Sequence, residues 1–392
     1  GTPLTSNSDY WTENRDDGLL WVAIADITKS EYIQDTKKYI TEEGLKNSST
    51  QRVEPYSILY SIYASLGKVA YSPHELTTNQ AILAIKPNEE LLYKFLFYYL
   101  KTLEDKLPFL SSSTTQNNIS LDVVKNFNIT QPPYDEQEKI VKFIDIKNKE
   151  IEKFISYKQK QIALLEEQKE AIINKAVTKG LNEIVAFKDS GIEWIGDIPK
   201  HWNISKTKYI SDIFIPQRNK PELNEDNGYL WITLDELKND YIEQSFKKVS
   251  ENDMKEAASK LLPKNSVIAS CVGEFGIASI NLVNCVINQQ LQAFTNVKIN
   301  PKFLLYIMRI SKYYFYSIAT ETTLLYVNKY GFANLPIVYP PENEQKEIIK
   351  YIEMEQSKID KVINQIQKEI DLIEEYKISL ISEVVTGQID VR

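Results

Sequence analysis

The sequence contains few of the residues that build metal sites and covalent cross-links. Among 392 residues there are two cysteines, Cys271 and Cys285, and two histidines, His74 and His201, which lie far from them along the chain. Two thiols 14 residues apart do not encode a disulfide framework, and without nearby histidines they do not encode a zinc site. This cysteine usage is typical of proteins from a reducing compartment.

Long apolar runs are also missing. No stretch reaches the roughly 18 apolar residues that a membrane span requires, and the chain opens without a basic and then apolar signal pattern. We therefore expect a soluble protein of the cytoplasm with no membrane partner. The formal net charge is -8, whereas nucleic-acid-binding proteins usually carry a basic surface. Only residues 132–182 and 203–339 are slightly positive, so charge does not decide whether the chain binds DNA.

A long internal repeat is the main feature that the sequence does contain. The stretch from Pro132 to Gly180 occurs again from Pro340 to Gly387, and its helix positions are offset by 208 residues. Each copy begins with a proline pair and a candidate N-cap, Asp135 or Asn343. Apolar residues then recur in steps of three and four, which predicts a coiled-coil seam on a long helix. The seam residues are Ile144, Ile151, Ile155, Ile162, Leu165 and Ile172 in the first copy, and Ile352, Ile359, Ile363, Ile370, Ile373 and Leu380 in the second.

The stretches outside the two helices also repeat. In both, short apolar runs alternate with turns, and Leu230-Trp231-Ile232 matches Leu20-Trp21-Val22. The predicted fold class is α/β: two tandem α/β domains separated by two long antiparallel coiled-coil helices, with an internal pseudo-two-fold repeat. The predicted boundaries are 1–133 for the first domain, 134–182 for the first helix, 183–339 for a connector and the second domain, and 340–392 for the second helix.

Polar residues interrupt the predicted seam at equivalent positions in the two helices. They are Asn148 and Lys169 in the first helix, and Gln356 and Lys377 in the second. An unpaired amide or ammonium buried against isoleucine costs about 1–3 kcal/mol, so these side chains are expected to meet each other. In an antiparallel pair, Asn148 is predicted to lie beside Lys377 and Lys169 beside Gln356, within about one helical turn.

Three motifs together resemble the DNA-specificity subunits of Type I restriction-modification systems. They are Gly-Ile-Glu-Trp-Ile-Gly-Asp-Ile-Pro-Lys-His-Trp at residues 191–202, Pro-Pro-x-x-Glu-Gln opening each long helix, and Ala-Val-Thr-Lys-Gly at residues 176–180. The opening Gly1-Thr2-Pro3, with Asp9-Tyr10-Trp11, resembles the same subunits. The first half lacks its own counterpart of residues 191–202, and we therefore expect that an N-terminal segment is missing.

The resemblance implies a prokaryotic, cytoplasmic protein that reads a split sequence in double-stranded DNA, one half with each target recognition domain. It also implies two docked adenine methyltransferase (modification) subunits, which hold the methyl donor S-adenosylmethionine, and restriction subunits that translocate and cut DNA. The chain itself would then be a non-catalytic subunit with no cofactor of its own. A duplicated domain-plus-helix unit agrees with this, because approximate two-fold symmetry suits two identical partners.

Two other functions were weighed. Gln131-Pro132-Pro133-Tyr134 resembles the loop with which DNA amino-methyltransferases hold a flipped adenine, but the second copy reads Tyr339-Pro340-Pro341-Glu342 and loses both flanking positions. No glycine-rich turn with the spacing of a cofactor site follows a strand, and no Asp...Glu-x-Lys nuclease arrangement is evident. A coiled-coil scaffold that does not bind DNA is the second alternative, and salt-dependent binding to random duplexes separates it from a DNA-binding subunit.

Candidate DNA contacts lie in polar loops between short strands, where side chains can enter a groove, and in polar segments such as Gln217 to Asn227. Asn and Gln can bond adenine, and Arg or Lys can bond guanine. For Asn79-Gln80 and Asn288-Gln289, a structural role in tying down neighbouring loops is favoured over base contact. The full set of candidates is Ser65, Lys68, Asn79, Gln80, Ser113, Thr114, Thr115, Gln116, Asn117, Asn118, Gln217, Arg218, Asn288, Gln289, Thr322, Thr323 and Tyr326. The candidate set contains no catalytic and no metal-binding residue.

Overall fold

The computed structural model describes residues 2–63, 65–104, 107, 118–224, 226–321 and 324–391. The chain divides into two compact units, the first formed by residues 1–159 and 367–392 and the second by residues 160–366. Each unit therefore contains part of both long helices, which are α5 (Tyr134–Lys179) and α11 (Glu342–Val385). None of the helices among the described residues combines the length and the apolar character needed to cross a membrane.

The first unit joins two small sheets to short helices. One sheet has the strand order β1-β3-β2-β6, in which β2 and β6 are parallel and the other pairs antiparallel. The second has the order β5-β4-β7 and is antiparallel. The strands are β1 (Trp11–Thr12), β2 (Leu19–Val22), β3 (Tyr39–Ile40), β4 (Ile58–Ser61), β5 (Val69–Tyr71), β6 (Leu76–Thr78) and β7 (Ile82–Ile85), and the helices are α1 (Ile24–Lys29), α2 (Glu42–Lys46), α3 (Tyr93–Lys101) and α4 (Leu121–Lys125).

The second unit repeats this plan with additional strands. Its sheets have the orders β14-β12-β17, β11-β18-β15-β16-β13, β10-β21, β8-β9 and β19-β20. The strands are β8 (Phe187–Asp189), β9 (Asp197–Pro199), β10 (Asn203–Lys206), β11 (Asp212–Phe214), β12 (Tyr229–Ile232), β13 (Tyr241–Ile242), β14 (Lys248–Val249), β15 (Val267–Ser270), β16 (Ala278–Asn281), β17 (Cys285–Ile287), β18 (Leu291–Thr295), β19 (Thr320–Glu321), β20 (Leu325–Tyr326) and β21 (Pro336–Tyr339). The helices are α6 (Thr207–Ile210), α7 (Glu251–Glu256), α8 (Pro301–Ile310), α9 (Lys312–Ile318) and α10 (Lys329–Asn334).

In each unit the core joins one buried helix to both long helices. In the first unit, α3 shares a cluster of buried residues with Ile144 near the start of α5 and with Leu380 near the end of α11. In the second unit, α8 packs with Ile352 near the start of α11 and with Ile173 near the end of α5. The start of one long helix thus meets the end of the other in both units, which is the predicted antiparallel arrangement. Apolar side chains at the heptad spacing supply these contacts.

The starts of the long helices differ from the prediction. Because α5 begins at Tyr134 and α11 at Glu342, Asp135 and Asn343 lie inside the first turn and the predicted N-caps are wrong. The carbonyl of Pro133 accepts the backbone N–H of Glu136 at 2.9 Å, so the helix starts directly after the proline pair. Proline has a fixed φ and no N–H to satisfy, which suits it to the beginning of a helix.

A buried glutamine fastens each domain to its long helix. The Gln137 side-chain amide accepts the backbone N–H of Leu92 at 2.8 Å and donates to the carbonyls of Glu90 and Pro132, each at 2.9 Å. Its counterpart Gln345 accepts the N–H of Asn300 at 2.9 Å and donates to the carbonyl of Pro340 at 2.9 Å. The same joint between domain and helix therefore occurs in both units.

The polar side chains of the seam bond to residues other than the predicted partners. In the first unit, Asn148 donates to the hydroxyl of Tyr98 at 3.2 Å. Lys377 lies 3.5 Å from the carboxylate of Glu152, which is one helical turn beyond Asn148. Asn148 is therefore satisfied by a tyrosine of α3, and Lys377 pairs with the carboxylate one helical turn further along, which is within the turn that the prediction allowed.

The second unit shows the same pattern. Lys169 lies 2.7 Å from the carboxylate of Asp360, one helical turn beyond Gln356. The side-chain oxygen of Gln356 accepts from the hydroxyl of Tyr306 at 3.5 Å. Tyr306 and Tyr98 are offset by the same 208 residues as the helices, so the tyrosine-to-seam contact belongs to the repeat.

Candidate nucleic-acid interface

In each unit, three turns lie at one edge of a set of three neighbouring strands. The strands are β3-β2-β6 in the first unit and β14-β12-β17 in the second. Since β2 and β6 are parallel, as are β12 and β17, their carboxyl ends lie at the same edge, where antiparallel β3 or β14 begins. The backbone N–H of Trp21 donates to the carbonyl of Lys38 at 3.2 Å, and the backbone N–H of Trp231 donates to the carbonyl of Lys247 at 2.9 Å. Residues 37–38 and 246–247 therefore occupy equivalent places on this edge, which we call the loop edge.

Asn79 and Gln80 lie on the loop edge of the first unit, directly after β6. The Asn79 side-chain oxygen accepts the N–H of Ala81 at 3.1 Å, and its backbone N–H donates to Val22 at 3.1 Å. The Gln80 side-chain oxygen accepts from the N–H of Thr2 at 3.3 Å and from its hydroxyl at 3.1 Å. The pair thus holds a turn and the opening segment in place, as the sequence analysis favoured.

Asn288 and Gln289 play the same part in the second unit. The Asn288 side-chain oxygen accepts the N–H of Gln290 at 3.1 Å. The Gln289 amide donates to the carbonyls of Gln217 at 3.1 Å and Arg218 at 2.6 Å. These bonds fix the 217–218 backbone beside the loop edge, while the side chains of Gln217 and Arg218 are exposed. Of the four, Arg218 is best able to approach DNA, because it is cationic and carries no ion pair among the described residues.

Lys68 is already engaged within the first unit. Its ammonium lies 2.5 Å from the carboxylate of Glu104. The nearby Ser65 carbonyl accepts from the hydroxyl of Ser61, and the carbonyl of Glu274 accepts from Ser270 in the second unit in the same way. These two bonds close equivalent turns. Ser65 stabilises its turn through its backbone carbonyl.

Tyr326 and Asn118 are equivalent in the repeat. In the sequence, Asn118 follows the candidates Ser113 to Asn117, and Tyr326 follows Thr322-Thr323. Asn118 forms a bridge with Tyr63, and Tyr326 forms one with Val272. Partial burial raises the pKa of Tyr326, although the side chain is exposed and the nearby guanidinium of Arg218 acts in the opposite direction. The hydroxyl of Tyr326 therefore stays protonated and able to donate a hydrogen bond. The candidates Ser113, Thr114, Thr115, Gln116, Asn117, Thr322 and Thr323 lie outside the described residues.

Sequence reasoning missed Phe246 and Lys247 of the second unit, although the segment it named from Gln217 to Asn227 contains Lys220. Lys220, Phe246 and Lys247 line a surface cleft of about 340 Å³ together with Asn288 and Gln289. Two cations and an aromatic ring beside amide groups is a combination typical of nucleic-acid surfaces, and here it shares the cleft with the carboxylates of Asp235 and Glu236. The pair Phe246-Lys247 directly before β14 was the available signal, but only the strand pairing places it at the loop edge.

The site residues include no metal cluster and no activated nucleophile. No group of three or more His, Cys, Asp or Glu side chains among the described residues is arranged to hold a metal ion. Burial raises the pKa of Cys271 and of Cys285 to about 12, so both thiols stay protonated. Gln131, from the loop compared with amino-methyltransferases, donates its side-chain amide to the carbonyl of Glu90 at 3.3 Å.

Known proteins resemble this chain in sequence and in fold. The family of the Type I restriction modification DNA specificity domain matches residues 7–170 and again residues 199–374. The chain is 27% identical to the Type I restriction enzyme MjaIX specificity subunit of Methanocaldococcus jannaschii, over all of this chain and 90% of that protein. It is 26% identical to the MjaVIII specificity subunit of the same organism, over 76% of this chain and 70% of that protein.

Two solved structures have a similar fold at 16% sequence identity. One is a chain from work on complex assembly and conformational transition of the type I R-M system, with a TM-score of 0.67 over 95% of this chain and 92% of that chain. The other is the HsdS subunit from Thermoanaerobacter tengcongensis, with a TM-score of 0.50 over 96% of this chain and 92% of that chain.

The relatives also bear on catalysis. They are named specificity subunits, which are the non-catalytic subunits of type I systems, and the prediction that this chain is not an enzyme is confirmed on that ground. The family match covers both halves of the chain, in agreement with the two structural units and the repeated joint between domain and helix. The chain therefore belongs to the family of Type I restriction modification DNA specificity proteins.

Proposed function

We propose that the chain reads a bipartite DNA target in the cytoplasm of a prokaryote, with each α/β domain recognising one half-site. The observation that carries this proposal is the duplicated loop edge. In each unit the same hydrogen bond from a strand tryptophan, Trp21 or Trp231, fixes a basic turn beside an anchored Asn-Gln pair. A rigid sheet that presents polar loops is suited to insert side chains into a groove while phosphate contacts set its position.

Both units carry cations that are available for DNA. In the second unit Arg218, Lys220 and Lys247 are exposed and, within the described part of the chain, form no ion pair. In the first unit Lys37 and Lys38 of the loop edge are likewise exposed and form no ion pair among the described residues, whereas Arg52, beside the Asn79-Gln80 turn, bonds the carboxylates of Glu42 and Glu75. A protein of net charge -8 can thus carry local basic surfaces, which supports DNA binding by both domains.

Exposed apolar side chains on the long helices support docking of two identical partners. Large apolar residues on a surface that repeat at one offset favour a binding role, since isolated ones are common on any protein. The exposed residues Ile146, Phe154 and Leu164 of α5 recur at the 208-residue offset as Met354, Val362 and Leu372 of α11. We propose that these positions contact two adenine methyltransferase subunits, which hold S-adenosylmethionine, and that restriction subunits join the assembly.

The experiment that tests DNA reading is methylome sequencing of cells that carry or lack this gene. The expected result is one bipartite adenine motif that is methylated only when the gene is present. Replacing residues 203–339 by the corresponding domain of a relative should alter one half of that motif and keep the other. No difference between the two methylomes in cells that express the methyltransferase would refute the proposal.

Docking is tested with Leu164→Asp and Leu372→Asp, which place a charge on exposed apolar positions of each helix. Each single change should remove one methyltransferase subunit from the assembly, and the double change should remove both, as measured by the mass of the complex in solution. Gln161→Asp is the matched control, because it adds a carboxylate to an exposed polar position of α5. An unchanged stoichiometry in the double variant would contradict docking at these positions.

A further inference from the structure

The loop edges of the two units differ at one position. The bonds from Trp21 to the carbonyl of Lys38 and from Trp231 to that of Lys247 align the two turns residue by residue. The residue before each accepting carbonyl is Lys37 in the first unit and Phe246 in the second. An ammonium and a phenyl ring therefore stand at the same place on two otherwise matching edges.

The backbone on both sides of Phe246 is held in place. The hydroxyl of Ser245 donates to the carbonyl of Trp231 at 2.7 Å and lies 3.2 Å from the Glu236 carboxylate. The same hydroxyl accepts the N–H of Lys247 at 3.3 Å, and the Lys247 carbonyl is bonded to Trp231. These bonds fix the backbone from which Phe246 projects, so a contact through its ring does not require the turn to become ordered.

Phe246 is 71% exposed although it projects from this fixed turn. It lines the cleft that contains Lys220, Lys247 and the Asn288-Gln289 pair, together with the carboxylates of Asp235 and Glu236. The lysines can hold phosphates on either side of a groove, which brings base edges to the ring. A phenyl ring offers bases only apolar contact or stacking, whereas an ammonium seeks phosphate oxygens or the acceptors of guanine.

We infer that Phe246 makes an apolar contact with the bases of the half-site read by the second domain, and that Lys37 makes a polar contact at the same place in the first. This position is thus a determinant of the difference between the two half-sites. The inference rests on the proposed function, that each domain reads one half-site. It assigns a specificity role to Lys37 and Phe246, whose equivalence follows only from the strand pairing in the two units.

The test measures binding of the full chain, assembled with its methyltransferase subunits, to two duplexes. One duplex carries the motif found in the wild-type methylome, and in the other the second half-site is scrambled. Phe246→Ala should weaken binding to the motif about tenfold, the scale of one lost base contact, and leave the scrambled duplex unaffected. The slope of log K against log salt should not change, because no phosphate contact is lost.

Three further variants separate the contributions. Lys247→Ala should weaken binding to both duplexes and reduce the salt slope by about 0.9, the effect of one phosphate contact. Phe246→Lys should alter the second half of the methylated motif, and Lys37→Phe should alter only the first. Tyr313→Ala is the matched control, since Tyr313 is an exposed aromatic residue of the same unit on α9 and should leave binding unchanged.

The outcomes distinguish this inference from the proposed function. If Phe246→Ala binds the motif as tightly as the wild type while Lys247→Ala weakens both duplexes, the inference is overturned and DNA reading stands. If the wild-type complex does not prefer the motif to the scrambled duplex, the proposed function fails as well. Phe246→Leu keeps an apolar side chain on an exposed position, and a loss as large as that of Phe246→Ala assigns the contact to stacking of the ring on the bases.

Discussion

Replacing Gln137 by methionine should destabilise the first unit although the volume of the buried side chain hardly changes. Gln137 is fully buried and forms three hydrogen bonds, at 2.8, 2.9 and 2.9 Å, with the backbone of Leu92, Glu90 and Pro132. Methionine fills the same space, so little of the loss comes from a cavity. What it removes is a partner of one backbone donor and two backbone acceptors.

The expected loss for Gln137→Met is about 2–4 kcal/mol. Each buried polar group left without a partner costs about 1–3 kcal/mol. The Glu90 carbonyl keeps its bond from Gln131, so the groups left without a partner are the Leu92 N–H and the Pro132 carbonyl. Gln345→Met removes two bonds of the same kind, to Asn300 and Pro340, and should cost the second unit less. The structure thus predicts an order as well as a magnitude.

Urea unfolding followed by tryptophan fluorescence measures both effects. Trp11 and Trp21 report on the first unit and Trp202 on the second. With a slope of roughly 2–3 kcal/mol/M, the unfolding midpoint of the first unit should fall by about 1 M. Gln131→Met is the control, because Gln131 is exposed and makes one bond of 3.3 Å. The reasoning is refuted if Gln137→Met lowers the midpoint no more than Gln131→Met does.

Two other predictions concern ionisable groups of the second unit. Burial raises the pKa of Asp240, but Arg309 and Lys302 beside it lower it overall, so the folded pKa lies below that of the unfolded chain. This carboxylate therefore contributes stability above the unfolded pKa of about 3.9, and the contribution is lost as pH falls through the folded pKa. When the urea unfolding midpoint is plotted against pH, Asp240→Asn should make its fall at acid pH less steep. Because burial raises the pKa of Cys271 and Cys285 to about 12, iodoacetamide should label neither thiol in the native protein and both in denaturant, and equal labelling rates would contradict their burial.

The sequence was enough to predict the features that depend on periodicity. Heptad spacing predicted the long helices, and the repeat predicted the antiparallel pairing, since a seam needs apolar side chains at regular steps whatever surrounds it. It did not predict the partner of Asn148. That partner is Tyr98, which belongs to a helix 50 residues earlier in the chain and approaches only after the domain has folded. Periodicity therefore predicted the register to within one helical turn, but not the bond that Asn148 makes to its own domain.

At the loop edge, too, the sequence predicted some residue roles and not others. A structural role for Gln289 was favoured from its place at the start of a strand, and the structure gives it two backbone acceptors. Phe246 was overlooked, because 26 residues separate it from Lys220 and nothing in the local pattern relates them. The bridge between Asn224 and Lys248 joins their two segments, and both residues line one cleft. Contacts that depend on strand pairing between distant segments are the ones that periodicity cannot supply.

The division of the core between distant chain segments has a consequence during synthesis on the ribosome. The core of the first unit unites Ile144 with Leu380 and Val384, which are translated more than 200 residues later. At about 5–20 residues per second, roughly 10–50 s pass before the last of these side chains emerges. In that interval the second unit, whose segments are contiguous, can complete its own core. The nascent first unit keeps part of its apolar surface uncovered throughout, so the period of greatest exposure to chaperones and proteases falls on the domain that is made first.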